Sequence, residues 1–158
     1  MKLIFSFLIF LFVANMTATE TALTISGEVE KSLSLTVADL EKLSVETVEV
    51  KGHDGKQAAY TGTPVYQLLK LAGAKMGKDF RGKDAAYYLV VEATDGYQVV
   101  VAIPELDPEF SDRKILLAYK KDGKPLEEFE GPFRLIVPDD KRQARWVRQV
   151  KSLTIKKP

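Results

Sequence analysis

Apolar and polar residues alternate along much of the chain, and this alternation with a period of two is typical of half-buried β-strands. The first two alternating runs are ALTISGEVEKSLSLT at 22–36 and VETVEV at 45–50. The run at 85–103 contains Asp95-Gly96, a strong signal for a tight hairpin turn between two strands. Asp122-Gly123 predicts a similar turn at the end of the next run. The later strand-like runs are 114–126, 133–138 and 146–155.

Two segments have the spacing of short helices instead. In TVADLEKL at 36–43, Thr36 is the expected N-cap and Asp39 stands at the third helical position, as in a capping box. In TPVYQLLKLAG at 63–73, Thr63 is the expected N-cap, Pro64 the first helical residue and Gly73 the stop signal. The glycine-bracketed stretch between these runs, GHDGKQAAYTG at 52–62, is predicted to be a polar loop.

Strands outnumber helices and do not alternate regularly with them, which predicts an α+β fold. We expect a β-rich mixed sheet with a few short helices. The length of 158 residues suits one domain with its own core rather than two. No linker-like segment divides the chain, and we place the domain at residues 23–156.

The N-terminal segment has the layout of a secretory signal peptide, predicted at residues 1–18. Lys2 precedes an apolar run from Leu3 to Val13, which is too short to span a bilayer comfortably, and small and polar residues follow it. This pattern predicts export to the periplasm or secretion, with no stable membrane insertion after cleavage. An uncleaved N-terminal anchor is the alternative.

Composition narrows the possible functions. The net charge of +1 gives no general reason to expect nucleic acid or an anionic membrane as partner. Cations interleaved with aromatic residues over a broad face, as nucleic-acid binding requires, are also missing. Because the chain has no cysteine, it can form no disulfide, no thiolate nucleophile and no cysteine-ligated metal site.

Few residues offer catalytic chemistry. The single histidine, His53, lies between glycines beside Asp54, where an exposed loop residue is the simplest interpretation. Its alternative role is a proton donor or ligand contact at the rim of a site. There is no nucleophile-elbow motif, no glycine-rich phosphate loop and no regular carboxylate spacing for Ca²⁺ or Mg²⁺.

A local excess of cations remains in the segment 130–150. Five basic residues face only Glu130, Asp139 and Asp140; they are Arg134, Lys141, Arg142, Arg145 and Arg148. Arginine offers a bidentate fork for phosphate or carboxylate, so the segment could hold an anion. A solvated basic rim on the last strands is the other explanation.

The order of these segments resembles the molybdopterin-binding domain of the sulfite oxidase family, which includes bacterial periplasmic reductases. The matching pieces extend from about Leu23 to Ile155. They are LTVADLEKL, YTGTPVYQLLKLAG, VEATDGYQVVVAIPEL, ILLAYKKDGKPL, GPFRLIVP and ARWVRQVKSLTI. The resemblance implies the fold of that family and a molybdenum-bearing pterin held by a cysteine thiolate on the metal. It also implies that Arg134, after Gly-Pro, and Arg145, before Trp146, hold the pterin phosphate.

The chain departs from the family at the position expected for the metal-ligating residue. The ligating cysteine should fall around Val50 to His53, where the sequence reads VEVKGHDG and offers no thiol. The following loop is shorter than in the family, and DDKRQA replaces the usual glycines before Trp146. We therefore expect no cysteine-ligated molybdenum and no conventional oxotransferase activity, while binding of molybdopterin itself stays open.

The leading hypothesis is an exported binding module for an anionic small molecule or a protein partner. Its pocket would be lined by His53, Tyr60, Thr61, Arg134 and Arg145. One alternative is a molybdopterin-dependent oxidoreductase with an unusual metal ligand, either His53 or a carboxylate. The other is a protein-binding accessory or sensor domain with no cofactor.

Overall fold

The computed structural model describes residues 21–52 and 55–158. The predicted signal peptide at 1–18 and the candidate site residue His53 lie outside these residues. Within the two described ranges, none of the helices is both long enough and apolar enough to cross a membrane.

Ten strands and three short α-helices make up the described ranges. The strands are β1 (Leu23–Gly27), β2 (Leu33–Leu35), β3 (Glu46–Lys51), β4 (Gln57–Pro64), β5 (Tyr88–Ala93), β6 (Gln98–Ala102), β7 (Leu116–Lys121), β8 (Lys124–Pro125), β9 (Arg134–Ile136) and β10 (Val150–Lys156). The α-helices are α1 (Val37–Leu40), α2 (Val65–Leu71) and α3 (Ile103–Leu106), with 3₁₀ turns at Gly77–Asp79, Gly82–Ala86 and Gln143–Arg145.

The strands form two five-stranded sheets. The first has the order β2-β1-β10-β5-β6 and is mixed, because β1 and β10 run parallel while the other pairs are antiparallel. The second is antiparallel, with the order β3-β4-β7-β8 and with β9 also paired to β7. This architecture confirms the predicted α+β fold with β-rich mixed sheets and a few short helices.

One apolar cluster joins the two sheets. Its fully buried members come from both sheets and from α2, and they include Leu23, Ile25, Leu68, Leu69, Leu89, Leu116, Leu117, Leu135 and Leu153. Because side chains from both sheets are buried in this one cluster, burial of apolar surface fixes the position of one sheet against the other.

The first helix begins as predicted, with a complete capping box. The hydroxyl of Thr36 accepts from the backbone N–H of Asp39 at 3.3 Å, and the Asp39 carboxylate accepts from the Thr36 N–H at 3.0 Å. The hydrogen bonds from Thr36 hold the pKa of Asp39 below its usual range. The residues of this segment are therefore sufficient by themselves to predict where the helix begins.

The start predicted for the second helix is wrong by one residue. Thr63 is fully buried at the end of β4, and Pro64 occupies the N-cap position without a side-chain capping bond. Pairing with β7 holds this stretch extended, and the first helical N–H, of Val65, donates to the carbonyl of Ile115 at 3.0 Å. A neighbouring strand thus satisfies the donor that a capping hydroxyl would otherwise satisfy.

The end predicted for the second helix is confirmed. Gly73 has φ of +77°, and its N–H donates to the Lys70 carbonyl while that of Ala74 donates to the Leu69 carbonyl. These two bonds form a Schellman motif, whose left-handed residue is usually glycine.

The predicted loop at 52–62 is wrong over its second half, since β4 begins at Gln57. This strand lies inside the second sheet between β3 and β7, and it buries Ala58 and Tyr60. A register shift follows Thr61, and a Cβ on Gly62 would stand 2.2 Å from the Leu117 carbonyl oxygen. Glycine is required at Gly62 because the backbone of β7 leaves no room for a side chain.

Residues 130–135 connect the second sheet to the start of β10 in the first sheet. β9 pairs with β7, and its Leu135 N–H donates to the carbonyl of Val147 at 2.8 Å. The N–H groups of Gln149 and Val150 donate back to the carbonyls of Glu130 and Phe133. The run predicted as a strand from residue 146 therefore begins only at Val150, because the preceding residues bond to the 130–135 segment instead.

Replacement of Gly62 by alanine tests the close approach of β4 and β7. We expect Gly62→Ala to lower the free energy of unfolding by about 3 kcal/mol or more, because the added methyl group meets a backbone carbonyl that cannot move away freely. Chemical denaturation of the purified protein measures this change.

Gly123→Ala is the control for this experiment. Gly123 has a positive φ of 76°, which Gly62 does not have, but a Cβ on Gly123 would meet nothing within 4 Å, so only the backbone conformation is penalised there, by about 1–2 kcal/mol. A Gly62→Ala protein as stable as Gly123→Ala would show that the two strands can separate at no great cost.

Candidate functional site

A cleft of about 990 Å³ opens between the second sheet and the loop that follows β9. Residues 49–52 and Gln57, at the adjoining ends of β3 and β4, form one wall. Residues 138–144 and Trp146 form the other, and we call residues 138–146 the cleft loop. The first wall includes the segment where the resemblance places the metal-ligating cysteine.

The cleft carries charges of both signs. Its cations are Lys51, Lys141 and Arg142, and its acids are Glu49, Asp139 and Asp140. In the described part of the chain, none of the three cations forms a salt bridge, whereas Asp140 is paired with Arg145. All three cations are exposed and free to meet a ligand.

One side chain of the cleft loop crosses to the opposite wall. Gln143, at the start of a 3₁₀ turn, donates from Nε2 to the carbonyl oxygen of Lys51 at 3.0 Å. The amide therefore ties the cleft loop to the end of β3, beside the position expected for the missing thiol.

Arg134 lies at the centre of a buried cluster beside the cleft. Its Nη1 donates to the hydroxyl of Tyr60 at 2.8 Å and to Oε1 of Glu130 at 2.5 Å. The guanidinium carbon stands 5.3 Å from the ring centre of Tyr60 and 5.7 Å from that of Trp146, within cation–π range. The two rings meet edge to face with centres 6.1 Å apart, and the Trp146 indole N–H donates to the carbonyl of Val137.

The charge of Arg134 is neutralised by the chain itself. Arg134 and Glu130 are each only 4% exposed, so the ion pair is desolvated. Lys121 approaches the same carboxylate oxygen of Glu130 at 3.9 Å. Within the described ranges, Oε2 of Glu130 and Nε of Arg134 have no hydrogen-bond partner. Breaking such a pair on one side leaves a buried charge uncompensated, which is strongly destabilising.

Arg145 is paired as well, through a chain of charges at the end of the cleft loop. Its Nε and Nη2 donate to the two oxygens of Asp140 at 2.8 and 2.6 Å. Nη1 lies 3.3 Å from both oxygens of Glu105 on α3, and Glu105 also accepts from Arg113 at 2.6 Å. The hydrogen bonds that Arg145 donates to Asp140, with the nearby charge of Glu105, raise the pKa of Arg145 despite its partial burial, so the guanidinium stays charged.

The structure thus brings together two of the predicted site residues, Tyr60 and Arg134. Thr61 follows Tyr60 on β4, and its hydroxyl shares a 2.8 Å hydrogen bond with that of Thr47 on β3. Arg145 binds its own carboxylates, and His53 lies outside the described residues. The sequence reasoning missed the partners Glu130, Asp140 and Glu105, although Glu130 precedes Arg134 by only four residues.

The family model of the oxidoreductase molybdopterin binding domain matches residues 11–158. The chain belongs to this family. The match confirms the resemblance to the sulfite oxidase type of domain, and the sequence of this member contains no cysteine.

A solved structure supports the same fold. The chain is similar to one in the crystal structure of the sulfane dehydrogenase SoxCD from Paracoccus pantotrophus, with 23% identity and a TM-score of 0.67. The similarity covers 85% of this chain and 37% of the other, so the chain spans a little over a third of its neighbour's length. No curated protein sequence matches the chain significantly.

A molybdenum ligated by a cysteine thiolate does not fit the residues present in this member. The sequence supplies no thiolate, and among the residues that the structure describes no three His, Cys, Asp or Glu side chains are grouped to hold a metal. The arginines that would hold the phosphate already bind Glu130, Asp140 and Glu105. Both arginines that the resemblance assigns to the phosphate therefore face carboxylates of the chain, although Nε of Arg134 has no partner among the described residues.

The buried ion pair can be tested by removing one charge. We expect Glu130→Gln to lower the free energy of unfolding by about 3–5 kcal/mol, because the guanidinium of Arg134 stays buried without a counter-charge. Glu128→Gln removes an exposed carboxylate two residues away and should change stability by no more than about 0.5 kcal/mol.

A double variant separates charge from packing. Glu130→Gln combined with Arg134→Met should recover about half or more of the lost stability, because no buried charge remains. If Glu130→Gln alone were as stable as the parent protein, the pairing of Arg134 would have no structural importance.

Proposed function

We propose that this domain is an exported, non-catalytic binding module whose cleft takes an anionic small molecule. The observation that carries the proposal is the cleft wall at Val50, Lys51 and Gly52, which contains no thiol in a chain with no cysteine at all. In the family the thiolate coordinates and tunes the molybdenum. A fold does not bring its activity with it, so the retained cleft supports binding rather than oxotransfer.

The free cations of the cleft support the choice of an anion. Lys51 stands on one wall and Lys141 and Arg142 on the other, so a ligand between the walls can meet positive charge from both sides. Glu49 and Asp139 limit the net positive charge. This mixture favours a small anion over a polyanion such as nucleic acid, which needs a continuous basic face.

The native protein tests this proposal. It should be purified from its exported fraction, from cells with intact molybdenum cofactor synthesis, and examined by elemental analysis and native mass spectrometry. We expect no stoichiometric molybdenum and a bound small anion. Lys141→Gln with Arg142→Gln should reduce its occupancy by roughly tenfold or more, because two charge-assisted contacts are lost.

Lys124→Gln removes an exposed cation from β8, away from the cleft, and should leave the occupancy unchanged. Stoichiometric molybdenum, with a dye-linked reductase activity that Arg134→Ala abolishes, would overturn the proposal. That outcome would establish the oxidoreductase alternative, with His53 or a carboxylate as the candidate metal ligand.

A second candidate function is an accessory or sensor domain that binds a protein partner. Tyr97 and Phe129, which are 50% and 55% exposed, line an adjoining groove of about 400 Å³ that shares part of the cleft loop, and Arg148 stacks there against the Phe129 ring. Aromatic and arginine side chains are enriched at protein interfaces.

A photo-crosslinking residue at Phe129 should capture one defined partner in the exported fraction if this second candidate holds. The same residue at Phe110, which is 53% exposed elsewhere, is the matched control. Equal crosslinking from both positions, or none from Phe129, would count against a partner surface at this groove.

A further inference from the structure

Arg145 already has the contacts that an arginine makes with a bound anion. The Nε and Nη2 edge of its guanidinium faces Asp140 in a bidentate pair at 2.8 and 2.6 Å. This fork is the same geometry that arginine offers to phosphate. The remaining Nη1 faces both oxygens of Glu105 at 3.3 Å. Both sides of the guanidinium are therefore occupied by carboxylates of the same chain.

The charges of this cluster balance locally. Arg145 and Arg113 contribute two positive charges, and Asp140 and Glu105 contribute two negative charges. A phosphate approaching Arg145 would be placed against two carboxylates, and like charges at such short range repel strongly. An incoming anion can replace these contacts only by separating Arg145 from acids that are already in place.

The cluster lies within reach of solvent and of the cleft. The Asp140 side chain lines the cleft, and the side chains of Arg145 and Glu105 are 26% and 30% exposed. Arg134, the other arginine that the resemblance assigns to phosphate, is only 4% exposed and borders the groove beside Phe129 rather than the cleft. Arg145 is the more exposed of the two, so its pairing with carboxylates bears most directly on whether an approaching anion can bind.

We infer that Asp140 and Glu105 replace, within the chain, the anion that Arg145 would otherwise bind. They close this arginine to phosphate groups and hold the cleft loop against α3 without any ligand. The inference rests on the proposed function in one respect: a ligand in the cleft must be held by Lys51, Lys141 and Arg142 rather than by Arg145.

The test uses inorganic phosphate as the probe, at constant ionic strength, with the full mature protein. Isothermal titration calorimetry should detect no phosphate binding that depends on Arg145 in the parent protein. The double variant Asp140→Asn with Glu105→Gln should bind phosphate roughly tenfold or more tightly than the parent, because the charged donors of Arg145 become free. Adding Arg145→Gln to the double variant should abolish this gain.

Asp139→Asn is the matched control, since it removes one negative charge from the neighbouring residue. Asp139 forms no salt bridge with Arg145 in the described part of the chain, so the control should gain no phosphate binding. If circular dichroism shows that the double variant is unfolded, Asp140→Asn alone is titrated, and a smaller gain that depends on Arg145 is expected.

Two results would overturn the inference. One is phosphate binding by the parent protein that Arg145→Gln abolishes. The other is a folded double variant that binds phosphate no more tightly than the parent. The proposed function fails by a different result, the absence of an anion from the native protein. The titration of the variants is unaffected by that result, so the two failures can be told apart.

Discussion

The buried ion pair between Arg134 and Glu130 is the interaction on which the centre of the structure depends. A guanidinium that is 4% exposed needs a counter-charge, and the chain supplies it four residues earlier. Tyr60 from β4 and Trp146 from the cleft loop then pack around the same group. The pair therefore joins the second sheet, β9 and the cleft loop, and it sets the position of one cleft wall against the other.

The cleft combines the fold of the family with a sequence that contains no cysteine. Backbone pairing between β3, β4 and β7 preserves the walls, and this pairing makes no demand on the residue that follows β3. Lys51 and Gly52 lie at the end of β3, where the resemblance places the metal ligand, and Lys51 still pairs with Gln57 of β4. Arg134 and Arg145, the two arginines that the resemblance assigns to phosphate, are each bound to carboxylates of the chain.

Helix ends and turns could be predicted from the sequence where neighbouring residues alone determine them. The Thr36 capping box, the Gly73 stop and the Asp95-Gly96 hairpin all depend on residues close together in the chain. The start of β4 and the exclusion of Thr63 from the helix could not be predicted, because pairing with β7, more than fifty residues away, decides both. Glu105 was missed as a partner of Arg145 for a similar reason, since it reaches the guanidinium from α3, forty residues earlier.

On our proposal, carboxylates of this domain take the place of a cofactor phosphate at Arg145. The most direct test compares thermal unfolding of the protein made in two hosts, one able and one unable to synthesise molybdopterin. The account predicts the same unfolding temperature for both preparations, since a ligand that does not bind cannot stabilise the folded state. A higher unfolding temperature from the competent host, together with bound molybdopterin, would contradict it.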